Sequence, residues 1–197
     1  EWACATANSY MVKNVLEEEY NVDVTLKNLQ AGVLWQSVAT GDVDFMLTAW
    51  LPGTHESYYE EFGDDVVDLG PLYEGAKIGL VVPAYVEIDS ITEMNDHTDQ
   101  FGGTIVGIDA GAGIMEATNE AIDVYGLDFD LMEGSGAAMT AELQTAIEND
   151  EWVVVTGWAP HWKFGAFDLK FLEDPEGVYG GDETINVITR TGFGDEF

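Results

Sequence analysis

The sequence predicts an α/β fold of two lobes, each a mixed, mostly parallel sheet flanked by helices. Two observations carry that expectation. Short apolar runs rich in Val, Ile and Thr alternate with stretches whose apolar residues recur at helical spacing, and strand–helix–strand alternation argues for parallel sheets. The same order of elements then occurs twice. Each copy closes on a Trp-x-Pro corner, in "LTAWLPGTH" (47–55) and in "VTGWAPHW" (155–162).

The elements follow in order. Ala3 to Ala7 read as a small-residue turn, and 7–19 carries Met11, Val12, Val15 and Leu16 at helical spacing. A strand is expected at 22–26 ("VDVTL"), then a short helix at 31–40, with Trp35 between Leu34 and Val38 on its apolar face. Strands are expected at 43–50, 77–83 and 104–109. The turn "DAGAGIM" leads into a helix over 113–125, marked by Ile114, Ala117, Ala121, Ile122 and Tyr125. A helix at 137–148 and strands at 152–158 and 185–189 complete the pattern. Residues 1–55 and 108–161 therefore repeat turn, helix, strand, helix, strand, and each copy reads as part of one lobe. Lobe I is assigned to 1–84, with 187–197 returning to it, and lobe II to 85–186. Pro83 fixes the backbone and blocks strand continuation, so hinges are placed near 83–87 and 185–192.

Bulk composition narrows the function. The 197 residues are 46% hydrophobic, enough for a sizeable core. Against 38 Asp+Glu stand 6 Lys+Arg, a formal net charge of −32. Such a chain repels nucleic acid and anionic lipid. With 12% aromatics it reads as folded rather than disordered. The charge is read as a surface adapted to high salt, where the Debye length falls to about 3 Å at 1 M. Cys4 is the only cysteine, which excludes an internal disulfide; it reads as a small packed hydrophobe.

The corners point to a binding site. Ligands of open α/β sheets bind beyond the carboxyl ends of the strands, where Trp50 and Trp158 fall, one per lobe. Trp2 occupies a comparable edge. These three indoles can line a cleft between the lobes, and they suit a quaternary ammonium. That group has full charge but no N–H, so aromatic faces recognise it where hydrogen bonds cannot. The glycine turn supplies the complement: Gly113 and Ile114 offer backbone N–H groups at a helix start, where the dipole favours an anion. His55, five residues beyond Trp50, can donate to the same anion, whereas His161 braces its own loop. Trp35 and Trp152 read as core. Other chemistries find little support. "EGSGAA" (133–138) lacks the G-x-S-x-G elbow of a hydrolase. "DAGAGIM" is not a nucleotide fingerprint. His55, His97 and His161 are too scattered for a metal site.

The stretches "AWLPGTHESYYEEF", "DLGPLYEGAKIGLVVPAYV", "GIDAGAGIM", "GSGAAMTAEL" and "VTGWAPHWKFGAFDLKFLEDP" closely resemble the glycine betaine/proline betaine substrate-binding proteins of ABC transporters. The resemblance covers nearly the whole chain. It implies a two-lobed periplasmic-binding-protein fold of type II-like architecture, closing around a compatible solute for osmoprotection, without catalysis, metal or cofactor. It implies a tryptophan prism formed by Trp2, Trp50 and Trp158, with the ligand carboxylate held by Gly113, Ile114 and His55. Other members take choline, carnitine, ectoine or a sulfonium such as dimethylsulfoniopropionate. The implied partner is a membrane permease, and the implied setting is a monomer outside the cytoplasm, lipid-anchored, fused to the permease or free in a periplasm. Family members show a strand ahead of the position of Trp2 and helices beyond 191–197.

Overall fold

The computed structural model describes residues 2–196; Glu1 and Phe197, the outer ends of the first expected lobe, lie outside the described residues. The chain divides into two compact units, Glu1–Ala76 with Asp182–Phe197, and Lys77–Gly181. Among the described residues no helix is long and apolar enough to cross a membrane.

The first unit opens with a helix where a turn was expected. Ala3–Tyr20 forms α1, because alanines are the strongest helix formers and the stretch contains no Gly or Pro to break it. Asn21 ends α1 in the left-handed region at φ 53°, its N–H returning to the Leu16 carbonyl. The expected strand at 22–26 is absent. Its backbone is taken by side chains of α1 instead: Lys13 donates to the Val24 carbonyl at 2.6 Å, and Val24 N–H donates to Glu17 at 3.2 Å. Helix α2 (Ala31–Ala39) buries Trp35 and Val38. They pack with Met46, Ala49 and Ile188 to form the core of this unit. Strand β1 (Phe45–Leu51) leads to α3 (Glu56–Phe62) and a 3₁₀ turn at Gly63–Asp65. Strand β2 spans Val66–Pro83. The last strand of the chain, Glu183–Arg190, lies between β1 and the Val66–Ala76 part of β2, antiparallel to both.

The second unit is a sheet covered by helices. The Lys77–Pro83 part of β2 continues as an apolar run, consistent with its burial. After a 3₁₀ segment (Ile91–His97), capped by reciprocal Ser90 and Glu93 bonds, come β3 (Thr104–Val106), α4 (Gly113–Tyr125), β4 (Asp130–Met132), α5 (Gly136–Glu148) and β5 (Val154–Ala159). A one-turn helix α6 (Lys163–Ala166) and strand β6 (Leu169–Phe171) follow, so that Glu183–Arg190 is β7. Strand β3 pairs in parallel with β4 and β5, the arrangement that crossover helices such as α4 and α5 require. The Lys77–Pro83 segment is antiparallel to β5 and β6. The mixed sheet is thus present, with its parallel ladders confined to β4–β3–β5. Antiparallel pairing is more extensive than alternation alone suggests, because the long β2 accepts a returning strand at each stage.

Two outcomes test this description. A Cβ at Gly157 would stand 2.2 Å from Val81 Cγ2 and 2.9 Å from Val81 Cβ, with no flexible tip to yield. Gly157→Ala should therefore cost about 1–3 kcal/mol of unfolding free energy by urea titration. With 38 acidic residues against 6 basic ones, most carboxylates lack a cationic partner. Their repulsion is screened by salt, so the thermal midpoint should rise as NaCl goes from about 0.1 M to about 2 M.

Candidate ligand-binding site

The two Trp-x-Pro corners are built alike. Strand β1 ends at Leu51 and turns through a cis Leu51–Pro52 bond; β5 ends at Ala159 and turns through a cis Ala159–Pro160 bond. Each preceding strand is apolar enough to be buried, which carries its terminal indole inward. Trp50 is 9% exposed and Trp158 is 6% exposed.

In the first corner, His55 N–H donates to the Trp50 carbonyl at 3.0 Å and closes the turn ahead of α3. The imidazole is 4% exposed. Its Nδ1 accepts the Trp35 indole N–H at 3.2 Å and the Trp50 backbone N–H at 3.3 Å. A nitrogen that accepts in this way carries no proton, so the ring's proton sits on Nε2. Burial lowers the His55 pKa to about 4, and the ring is neutral at ordinary pH. It is a hydrogen-bond donor without charge. Around it stand Trp2, at 6.4 Å between ring centroids, Trp35 at 5.9 Å and Tyr58 at 5.8 Å. The first unit therefore brings Trp2, Trp50 and His55 together. Trp35 is core, as expected, and it also orients His55.

A second tie holds the same loop. Glu183, at the start of β7, is buried, and its Oε1 accepts the Thr54 N–H at 2.8 Å and the Thr54 hydroxyl at 2.9 Å. Burial raises the Glu183 pKa, and the bonds from Thr54 pull it the other way. Nothing near Thr54 in the sequence announces this partner, which lies at the far end of the chain.

The second unit holds Gly113, Ile114 and Trp158. Helix α4 begins at Gly113, after Ala112 in extended conformation, and no side chain caps it. Met115 N–H turns back onto the Ala112 carbonyl at 2.9 Å. Gly113 and Ile114 thereby supply the first-turn amides, at the positive end of the helix dipole. Both α4 and α5 pack on β5, the strand that carries Trp158. His161 accepts the Lys163 backbone N–H on Nδ1 at 3.1 Å and meets the Trp158 ring edge-on at 4.8 Å. It braces its own loop, as expected. Burial, assisted by the Lys163 charge, lowers its pKa to about 4. Trp152, expected in the core, is half-buried against His97 and Phe101.

Lys163 is the residue that sequence reasoning missed. Its side chain is buried and its ammonium lies 4.8 Å from the Trp158 ring centroid. The signal was available: Lys163 follows Trp158 at the spacing by which His55 follows Trp50. Among the described residues no group of three His, Cys, Asp or Glu side chains is placed to hold a metal ion.

The whole chain, residues 1–197, matches the model of the substrate binding domain of the ABC-type glycine betaine transport system. The chain belongs to this family. Over 104 residues, 51% of the chain, it is 53% identical to a glycine betaine/carnitine transport binding protein of Listeria monocytogenes, and that stretch is 35% of the Listeria protein. Two crystal structures superpose on all of it. One is the glycine betaine/L-proline-binding protein ProX of Borrelia burgdorferi (TM-score 0.95, 36% identity, 74% of that chain covered). The other is lactococcal OpuAC, closed and complexed with glycine betaine (TM-score 0.92, 40% identity, 76% covered). The expected two-lobed periplasmic-binding-protein fold is the fold of these neighbours, and the family is one of binding domains, not enzymes.

The state of His55 has a measurable consequence for this family member. The folded chain keeps the ring neutral down to about pH 4, whereas an unfolded imidazole protonates near pH 6.5. Between those values the unfolded chain binds the extra proton. The His55 contribution is therefore full above about pH 6.5 and is lost as pH falls toward 4, by an amount on the order of 3 kcal/mol. Urea unfolding of wild type and His55→Gln across this window should show the steeper acid loss in the wild type. Taking the difference between the two cancels the titration of the carboxylates they share.

Proposed function

We propose that the chain captures glycine betaine or proline betaine outside the cytoplasm and delivers it to the permease of an ABC importer. Trp2, Trp50 and Trp158 supply indole faces to the methylated ammonium. His55 Nε2–H and the amides of Gly113 and Ile114 supply donors to the carboxylate. The observation that carries this reading is the composition of the first corner. The indole of Trp2, at the start of α1, stands 6.4 Å between ring centroids from the neutral imidazole donor of His55, whose loop closes on the Trp50 carbonyl. A zwitterion asks for that combination: a π face for a cation that cannot donate a hydrogen bond, and donors without formal charge for the anion. The amides at the start of α4 offer the same kind of uncharged donor. The family match and the glycine betaine bound to the lactococcal neighbour favour the same ligand class.

Titration calorimetry with glycine betaine in molar NaCl should give a dissociation constant in the micromolar range, about −8 kcal/mol. A desolvated cation–π contact contributes about 2 kcal/mol, so Trp50→Ala and Trp158→Ala should each weaken binding roughly thirtyfold. Trp35→Ala should lower the unfolding free energy and, by removing one of the two donors that orient His55, weaken betaine binding as well. Absence of both heat and fluorescence change on adding betaine would refute the assignment.

A further inference from the structure

Lys163 is 0% exposed, in a chain with 6 Lys+Arg in all. Its Nζ donates to the Thr156 carbonyl at 3.2 Å and lies 4.8 Å from the Trp158 ring centroid and 5.8 Å from that of Phe164. In the internal repeat, Lys163 occupies the place of His55, five positions past the corner tryptophan. One corner thus presents a neutral donor and the other a buried cation against its indole.

We infer that Lys163 sets the charge class of the ligand, admitting zwitterionic quaternary amines and disfavouring quaternary amines that carry a net positive charge. The inference rests on the assignment of Trp158 to the ligand ammonium. An indole already facing one ammonium has part of its negative π potential engaged, and it offers less to a second cation. The two like charges also repel across the ring. At the effective dielectric typical of protein sites, unit charges on opposite faces of one ring oppose each other enough to weaken binding about tenfold. A monocation such as choline bears that repulsion in full. A betaine carries a carboxylate close to its ammonium, and the Lys163 charge attracts the one while it repels the other, so most of the repulsion cancels. A residue that merely holds Trp158 in place would alter both affinities together. A residue acting through charge alters their ratio.

The test compares the affinities of the whole chain for glycine betaine and for choline, by tryptophan fluorescence, in wild type, Lys163→Met and Lys163→Arg. The wild type is expected to prefer glycine betaine. Lys163→Met should narrow that preference about tenfold, chiefly by tightening choline, and Lys163→Arg should keep it. A betaine-to-choline ratio unchanged within twofold in Lys163→Met overturns the proposal, as does parallel weakening of both ligands. Should Lys163→Met fail to fold, the wild type alone still decides, because equal affinity for the two ligands is incompatible with the proposal. A wild type that binds neither ligand removes the quaternary-amine reading itself, a result distinct from an unchanged ratio.

Discussion

The Nδ1 atom of His55 receives the indole N–H of Trp35 and the main-chain N–H of Trp50. Through those two bonds the core of the first unit dictates the chemistry of its corner. Trp35 belongs to the apolar cluster with Val38, Met46, Ala49 and Ile188, so the imidazole is oriented by packing rather than by a flexible surface contact. Burial keeps the ring neutral, and the shared acceptor leaves the proton on Nε2. A charged ring would have to break both bonds. Glu183, gripping Thr54 one residue earlier in the chain, fixes the same loop from β7.

The duplicated corner shows how one local geometry can be given two electrostatic characters. Each has a buried strand end, an indole, a proline and a buried polar residue five positions past the tryptophan. Only the polar group differs. The histidine bonds through an acceptor to backbone and core donors. The lysine bonds as a donor to the carbonyl of its own strand. Both solutions satisfy the buried polar atom locally, which is what permits such groups inside an apolar wall.

Much of this was legible in the sequence because apolar periodicity and corner chemistry are local. Helix α4 was read at its observed bounds, α2 and β1 lie close to their expected ranges, and the repeated Trp-x-Pro layout picked out both indole positions. The expected strand at 22–26 failed for a non-local reason, since Lys13 and Glu17 claim the backbone of Val24. Ala3 to Ala7 occupy the place of the glycine turn in the second copy, yet they begin α1, because alanine favours helix where glycine does not. Helix α3 is short and acidic, and β4 and β6 have three residues each, too few to show a period. The tie from Glu183 to Thr54 joins distant parts of the chain and leaves no mark on either stretch. Lys163 is masked in the sequence by His161, which follows Pro160 directly and stands out as the polar residue of the second corner.

Both corner histidines have their protonation range displaced downward to about pH 4. Between mildly acidic and mildly alkaline pH neither ring gains a charge. Under the proposed function, the donor that His55 offers to the ligand therefore keeps one charge state as the medium acidifies through that range.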